Sequence, residues 1–277
     1  MRPIKKLLWV SDAHACWTES LEEFERFSWL GHFIAKEKPD TIILGGDFWE
    51  NAALNGHKGS TLLPIAGKEA PAKSAELDTY RDMDAGKEAI RTILNVYRND
   101  NERHRRAGHK EREYHPEIYF LEGNHEEFWT RYRTKHPSEK SSPISNRSAV
   151  EFLNGLGIEW VPAREKLLLG GVAFQHFHPD MRGQPIALNS LLNELLMSNV
   201  SGHNHGYGER EKVRADGQVQ RAIVAGCWKS PSRLGPKDRP GLLVMEDIRN
   251  GEFHHKFVPQ NVVAREYRAA IRGLAAA

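Results

Sequence analysis

Five short polar clusters in this chain carry the residue types that hold hard and borderline cations: Asp12-Ala13-His14, Gly45-Gly46-Asp47, Gly123-Asn124-His125-Glu126, Gln175-His176 and Gly202-His203-Asn204-His205. Asp12 and His14 stand two apart, so on an extended segment both project to one face, where a carboxylate and an imidazole can share one cation. Asp47 follows paired glycines, which let the backbone turn sharply and bring the carboxylate close. Asn124 offers a neutral oxygen after Gly123, and His176, His203 and His205 add imidazoles. Asp12, His14, Asp47, Asn124, His176, His203 and His205 are too many ligands for one zinc and sufficient for two ions sharing a bridging carboxylate. A mixed Asp, Asn and His set without thiolate favours manganese, iron or zinc over copper(I), and is richer in nitrogen than a magnesium or calcium site. Two such ions roughly 3.5–4 Å apart clamp the attacking and departing oxygens of an in-line displacement and supply hydroxide near neutral pH.

Each cluster alone has a plainer explanation. Asp12 and Asp47 can cap turns, Gly123-Asn124 reads as a turn, and a single histidine is more often a surface or capping residue. That is the reading for His57, His104, His109, His115, His136, His254 and His255. His125-Glu126 is no zinc-protease helix, because the residue four beyond His125 is Trp129. Gly56 to Thr61 holds P-loop letters in the wrong arrangement. Core packing is the first reading of Trp49 and Trp228, with stacking on a base or aryl group as the alternative, and solvent-facing charge that of Arg131, Arg133, Lys229 and Arg233, with phosphate contact as the alternative.

The clusters need elements to position them. Lys6 to Val10, Asp40 to Leu44, Glu117 to Leu121, Gly171 to Phe174 and Met197 to Ser201 are short apolar runs, each ending in one of the clusters, and read as buried strands. Leu21 to Glu37 has a helical apolar period, making strand, helix, strand a βαβ unit. Asp84 to Tyr97, Ala149 to Leu156 and Ile186 to Leu196 read as helices, and Arg221 to Ala225 and Gly241 to Ile248 as strands. Asn250-Gly251 is a tight-turn signal returning the chain through Glu252 to Val258 as a hairpin. Residues 51–80 hold Gly, Pro, Ala and Lys without a period and are expected to form a loop or lid over the strand ends. Thr134 to Arg147 is a second irregular stretch. Open α/β sheets bind ligands beyond the carboxyl ends of their strands, where every cluster lies.

Taken in order, Asp12-x-His14, Gly46-Asp47, Gly123-Asn124-His125-Glu126, a lone histidine and Gly202-His203-Asn204-His205 resemble the calcineurin-like metallophosphoesterase superfamily. The resemblance spans residues 12 to 205. It implies an α/β fold of four layers, an αββα sandwich of two mixed sheets with flanking helices. It implies two divalent ions, manganese first, with iron, zinc or nickel as alternatives. Asp12, His14, Asp47 and His205 would hold one ion; Asp47 would bridge to a second, completed by Asn124, His176 and His203. The catalytic residue would be His125, donating a proton to the leaving oxygen or stabilising charge on the phosphoryl group. The implied reaction is hydrolysis of a phosphomonoester or phosphodiester, the partner being a small molecule or nucleotide, or nucleic acid. A DNA nuclease, a nucleotide pyrophosphatase and a non-catalytic scaffold are the competing readings. Three departures stand out: Asn204 between the last two histidines, a long spacing from Asp47 to Asn124, and two candidates in Gln175-His176-Phe177-His178. Of these His176, directly after the strand, is preferred, while His178 would share its face if the strand continued.

Composition sets outer bounds. The 277 residues suffice for a substantial core, with 39% hydrophobic and 27% charged residues, ordinary for a soluble globular protein. A net charge of +2 argues against general affinity for nucleic acid. The basic stretch Arg98 to Arg112 reads first as a solvated helix end. Cys16 and Cys227 suit a reducing cytoplasm, that of a host cell if the gene is viral. No run approaches the ~20 apolar residues of a membrane span. One domain is expected over 1–263, followed by a tail or short helix over 264–277. The roughly 70 residues after 205 fall below a typical domain of ~100–150, so no DNA-capture domain is expected there.

Overall fold

A computed structural model describes residues 4–54, 73–135 and 146–275. Its strands fall into two mixed sheets. The first has the order β11-β10-β1-β2-β3-β4, from Glu252–Pro259 (β11), Gly241–Arg249 (β10), Ile4–Val10 (β1), Thr41–Leu44 (β2), Glu117–Leu121 (β3) and Ile158–Val161 (β4). β1 to β4 run parallel, while β10 is antiparallel to both β1 and β11. The second sheet runs β5-β6-β7-β9-β8, from Leu167–Leu169 (β5), Val172–Phe174 (β6), Asn199–Ser201 (β7), Val219–Ala225 (β9) and Tyr207–Val213 (β8).

The two-residue side-chain period sorts the first sheet's strands between two cores. Leu7, Trp9, Ile43, Leu121, Leu243 and Met245 face the second sheet and meet Val172, Phe174, Val200 and Ile223 there. Leu8, Val10, Ile42, Leu44, Phe120, Leu242 and Val244 face the opposite way, into helices. Burial on both faces is why these strands read as unbroken apolar runs. The helical layer on that side includes Leu21–Phe24 (α1), Arg26–Glu37 (α2), Lys73–Arg106 (α3), Asn124–Lys135 (α4), Asn146–Gly155 (α5) and Gln260–Ala275 (α7). On the far side Leu188–Leu195 (α6) lays Leu191 and Leu192 on Ala222 of β9. Helices, sheet, sheet, helix make the four-layer sandwich.

Several boundaries differ from the sequence reading. Leu21 to Glu37 is two helices joined at Glu25, which caps one and starts the other; Ser20 and Glu23 form a reciprocal capping box ahead of it. Within 51–80, residues 55–72 lie outside the described part, so most of the expected lid does too. The reading of 73–80 as loop is corrected: α3 already runs from Lys73. Its buried stripe there uses Thr79 and Asp82, polar residues that an apolar period does not register. The second irregular stretch lies outside the description over 136–145, while Thr134 and Lys135 finish α4 and Asn146 opens α5. The helix at the C-terminal end begins at Gln260, ahead of the expected 263/264 division. β4, β5 and β8 carried no sequence expectation; β8 is an edge strand with charged, mostly exposed residues and little apolar alternation. Asn250 and Gly251 take positive φ at the β10–β11 hairpin, as their turn signal required. The basic segment forms the end of α3 and the turn after it, with Arg103, Arg105 and Arg106 paired to acids. Among the described residues no helix is long and apolar enough to cross a membrane.

Phe174 is fully buried between the sheets and stacks on Trp9 with ring centroids 6.0 Å apart. Phe174→Ala is expected to lower stability by about 3–5 kcal/mol, read from urea denaturation.

Candidate metal centre

The loops beyond β1 and β2 continue side by side after the sheet ends. Asp12 N donates to Gly46 O (2.9 Å), His14 N to Asp47 O (3.0 Å) and Ala15 N to Phe48 O (2.7 Å). This pairing carries Asp12 and His14 into register with Asp47. On the second sheet Gly202 N donates to His176 O (2.8 Å), tying the ends of β6 and β7 together. His203 N reaches across to the Asp12 carboxylate (3.0 and 3.1 Å), so the two sheet ends meet at this point. Asp12, His14, Asp47, His203 and His205 all take positive φ. For non-glycine residues this costs of order 1–3 kcal/mol each and persists only where the surroundings enforce it. Gly46 and Gly123 are required by contact: a Cβ on Gly46 would lie 2.8 Å from His176 Nδ1, and one on Gly123 2.3 Å from Asp47 N.

The side chains form three groups of ligand atoms, each group within 4.8 Å: Asp12, His14 and His205; Asp47, His176 and His203; and a third in which His14 meets Glu50 and His125. The Nε2 atoms of His14 and His205 are 3.1 Å apart, and His205 Nε2 is 3.4 Å from Asp12 Oδ1. Asn124 Oδ1 joins the second group, 3.1 Å from His176 Nε2 and 2.8 Å from His203 Nδ1. His176 Nδ1 lies 2.8 Å from the Gly45 carbonyl, which only accepts, so Nδ1 carries a proton and Nε2 turns into the group. His178, also buried, belongs to none of these groups. The donor set fits divalent cations, since carboxylate, amide oxygen and imidazole nitrogen converge with no thiolate among them.

Residues 5–220 match the sequence profile of the calcineurin-like phosphoesterases. The chain belongs to that family. No curated protein matches the sequence. Among solved structures, a dimetal phosphatase from Danio rerio is 9% identical with a TM-score of 0.43, covering 94% of this chain and 97% of its own. Likeness of that degree says nothing further about this family member's chemistry.

Two buried carboxylates so close need positive charge. Burial acts to raise the Asp12 carboxyl, but the hydrogen bond from His205 and the charges of His176 and His205 outweigh it and hold it below its ordinary value. Burial likewise opposes ionisation of Asp47, yet His176 and His125 hold it well below. His176 is displaced upward against its own burial, chiefly by the Asp47 charge. The imidazoles thus offset the buried carboxylate charge, a role that a divalent cation also fills.

His125 opens α4 beside the second group. Its backbone N donates to Asp47 Oδ1 (2.9 Å), and its Nδ1 contacts the Glu50 carbonyl. Nε2 is left facing Asp47 Oδ2 at 4.0 Å. Trp49 and Trp228 are core residues, as expected. Lys229 and Arg233 are not solvent-facing charges: Lys229 pairs with Asp238 (2.8 Å) and Arg233 with Glu50 (2.6 Å). Arg131 is exposed and pairs with Glu127, and Arg133 is exposed.

Two acids of this site drew no role from sequence. Glu50, three residues past Asp47, contacts His14 Nδ1 at 2.9 Å. Glu126 is fully buried, and its carboxylate accepts backbone N–H groups from Asp47 (2.9 Å), Phe48 (2.9 Å), Trp49 (3.2 Å) and Gly123 (2.8 Å). Burial, then the Asp47 charge, push the Glu126 carboxyl up to about 7 against those bonds. Its signal was its place in the first turn of a helix directly after Gly123, where a side chain can fold back onto free N–H groups. Glu126→Ala is expected to cost about 3 kcal/mol by leaving buried donors unmatched. Hydrogen exchange at the amides of Asp47, Phe48, Trp49 and Gly123 should speed up; unchanged protection would show that other contacts hold the loop.

Proposed function

We propose that this calcineurin-like phosphoesterase is a dinuclear metal-dependent hydrolase of phosphomonoesters or phosphodiesters. The observation that carries the reading is the pair of ligand groups at the joined strand ends. Asp12, His14 and His205 would hold one ion, and Asn124, His176 and His203 the other, with Asp47 shared between them. Bound there, two divalent ions supply Lewis acidity and a nucleophile at neutral pH, and manganese suits the mixed oxygen and nitrogen donors.

The chain's own residues supply position and proton. The strained loops hold the ligands before any substrate arrives, so little reorganisation accompanies binding. His176 is oriented by the Gly45 carbonyl. His125, tethered through Nδ1 to the Glu50 carbonyl, presents Nε2 to the site and acts as the general acid that protonates the leaving oxygen. The arrangement also supports one catalytic domain, and the buried free thiols of Cys16 and Cys227 support a reducing cytoplasm.

Chelation followed by readdition of manganese should abolish and restore hydrolysis of an aryl monoester or aryl diester. Asp47→Asn should lose metal and activity together. His125→Ala should keep both ions by elemental analysis while kcat falls by about 10²–10⁴, most for poor leaving groups. Full activity in Asp47→Asn contradicts the centre, and loss of metal in His125→Ala would make His125 a ligand.

A further inference from the structure

His14 is contacted from two sides by residues outside the group it forms with Asp12 and His205. Glu50 Oε2 lies 2.9 Å from its Nδ1 and 2.6 Å from Arg233 Nη2. Arg233 Nη1 donates to the His14 carbonyl at 2.9 Å, fixing the main chain that carries the ring. Arg233 belongs to the turn Pro231–Arg233, which follows β9, and its guanidinium also lies 3.7 Å from Glu19 Oε1. Glu19 is anchored by both oxygens on Arg26, at 2.6 and 2.8 Å, and Arg26 is fully buried. The Glu50 and Arg233 side chains are 16% and 30% exposed, so their pair is largely shielded from competing water.

A carboxylate accepts and does not donate. The Glu50 Oε2 to His14 Nδ1 contact is an ion-pair approach at 2.9 Å without hydrogen-bond alignment; the carboxylate charge so close to Nδ1 favours the proton there and leaves the Nε2 lone pair facing His205 Nε2, 3.1 Å away. We infer that Glu50 is a positioning residue that sets the tautomer and orientation of His14, and that Arg233 holds Glu50 in place to do so. The pair thereby governs the group built on Asp12, His14 and His205, and not the group built on Asp47, His176 and His203. Arg233 acts through Glu50, and its charge is directed to that carboxylate rather than to substrate phosphate. The inference rests on the dinuclear reading for its metal, but the tautomer of His14 is a property of the protein alone.

The test uses metal-stripped full-length protein, titrated with manganese by calorimetry, with histidine ¹⁵N shifts recorded before addition. The wild type should show His14 protonated at Nδ1 and two binding events. Glu50→Ala, with an unchanged circular dichroism spectrum, should mix the His14 tautomers and weaken one event by about 10–100-fold, leaving the other unaltered. Glu50→Gln, which retains an accepting oxygen, should restore the tautomer and part of the affinity. Arg233→Ala should weaken the same event less, and the double variant Glu50→Ala/Arg233→Ala should be no weaker than Glu50→Ala alone. An unchanged tautomer and unchanged affinities in Glu50→Ala would overturn the positioning role. Additive losses in the double variant, or a raised KM with unaltered metal binding in Arg233→Ala, would overturn the claim that Arg233 acts through Glu50. Failure of the wild type to bind two ions would count against the dinuclear reading instead, while the tautomer still decides the role of Glu50.

Discussion

The Glu126 carboxylate is the contact on which the rest of the site depends. It gathers the N–H groups of Asp47, Phe48 and Trp49 from one strand end and of Gly123 from the next. Hydrogen bonds to a charged group contribute about 1.5–3 kcal/mol each, and here they tie the two strand ends together even though burial and the Asp47 charge still raise the carboxyl. Glu126 acts together with the backbone pairing to the Asp12 loop and the His125 N–H on Asp47 Oδ1, which hold the same turn from its other sides. The glycines at 46 and 123 are the counterpart, since any side chain there would occupy space that His176 and Asp47 fill.

A second dependence follows from the layers. Asp12, His14, Asp47, Asn124 and His125 come from the first sheet's ends, and His176, His203 and His205 from the second's. The cluster therefore forms only when the sheets pack, and the core of Trp9, Phe174, Val200 and Leu243 sets the spacing of its side chains. Stability and chemistry are linked through that core, because close-packed interiors transmit small displacements. The charges are linked as well, the buried carboxylates and imidazoles balancing one another across the junction between sheets.

Much of this was legible in sequence for a simple reason. Strands buried on both faces appear as short apolar runs, and a polar residue placed just beyond such a run, as with Val10 before Asp12 or Leu121 before Asn124, lies at a sheet end. What was not legible depends on contacts between distant segments. Glu50 finds Arg233, and Arg26 finds Glu19 together with the carbonyls of Ala13 and Trp228, without any spacing that announces it. The start of α3 was hidden because Thr79 and Asp82 occupy its buried stripe, and β8 because an exposed edge strand has no inner face to mark with apolar residues. Of His176 and His178 only His176 meets Asp47 and Asn124, a contact between distant segments that spacing alone does not show.

The central claim is that two cations sit side by side at this junction. Anomalous diffraction at the manganese edge from crystals grown with manganese tests it most directly. Two peaks are predicted, one among Asp12, His14 and His205 and one among Asn124, His176 and His203, with Asp47 touching both. A single peak, or peaks elsewhere on the molecule, would contradict the account.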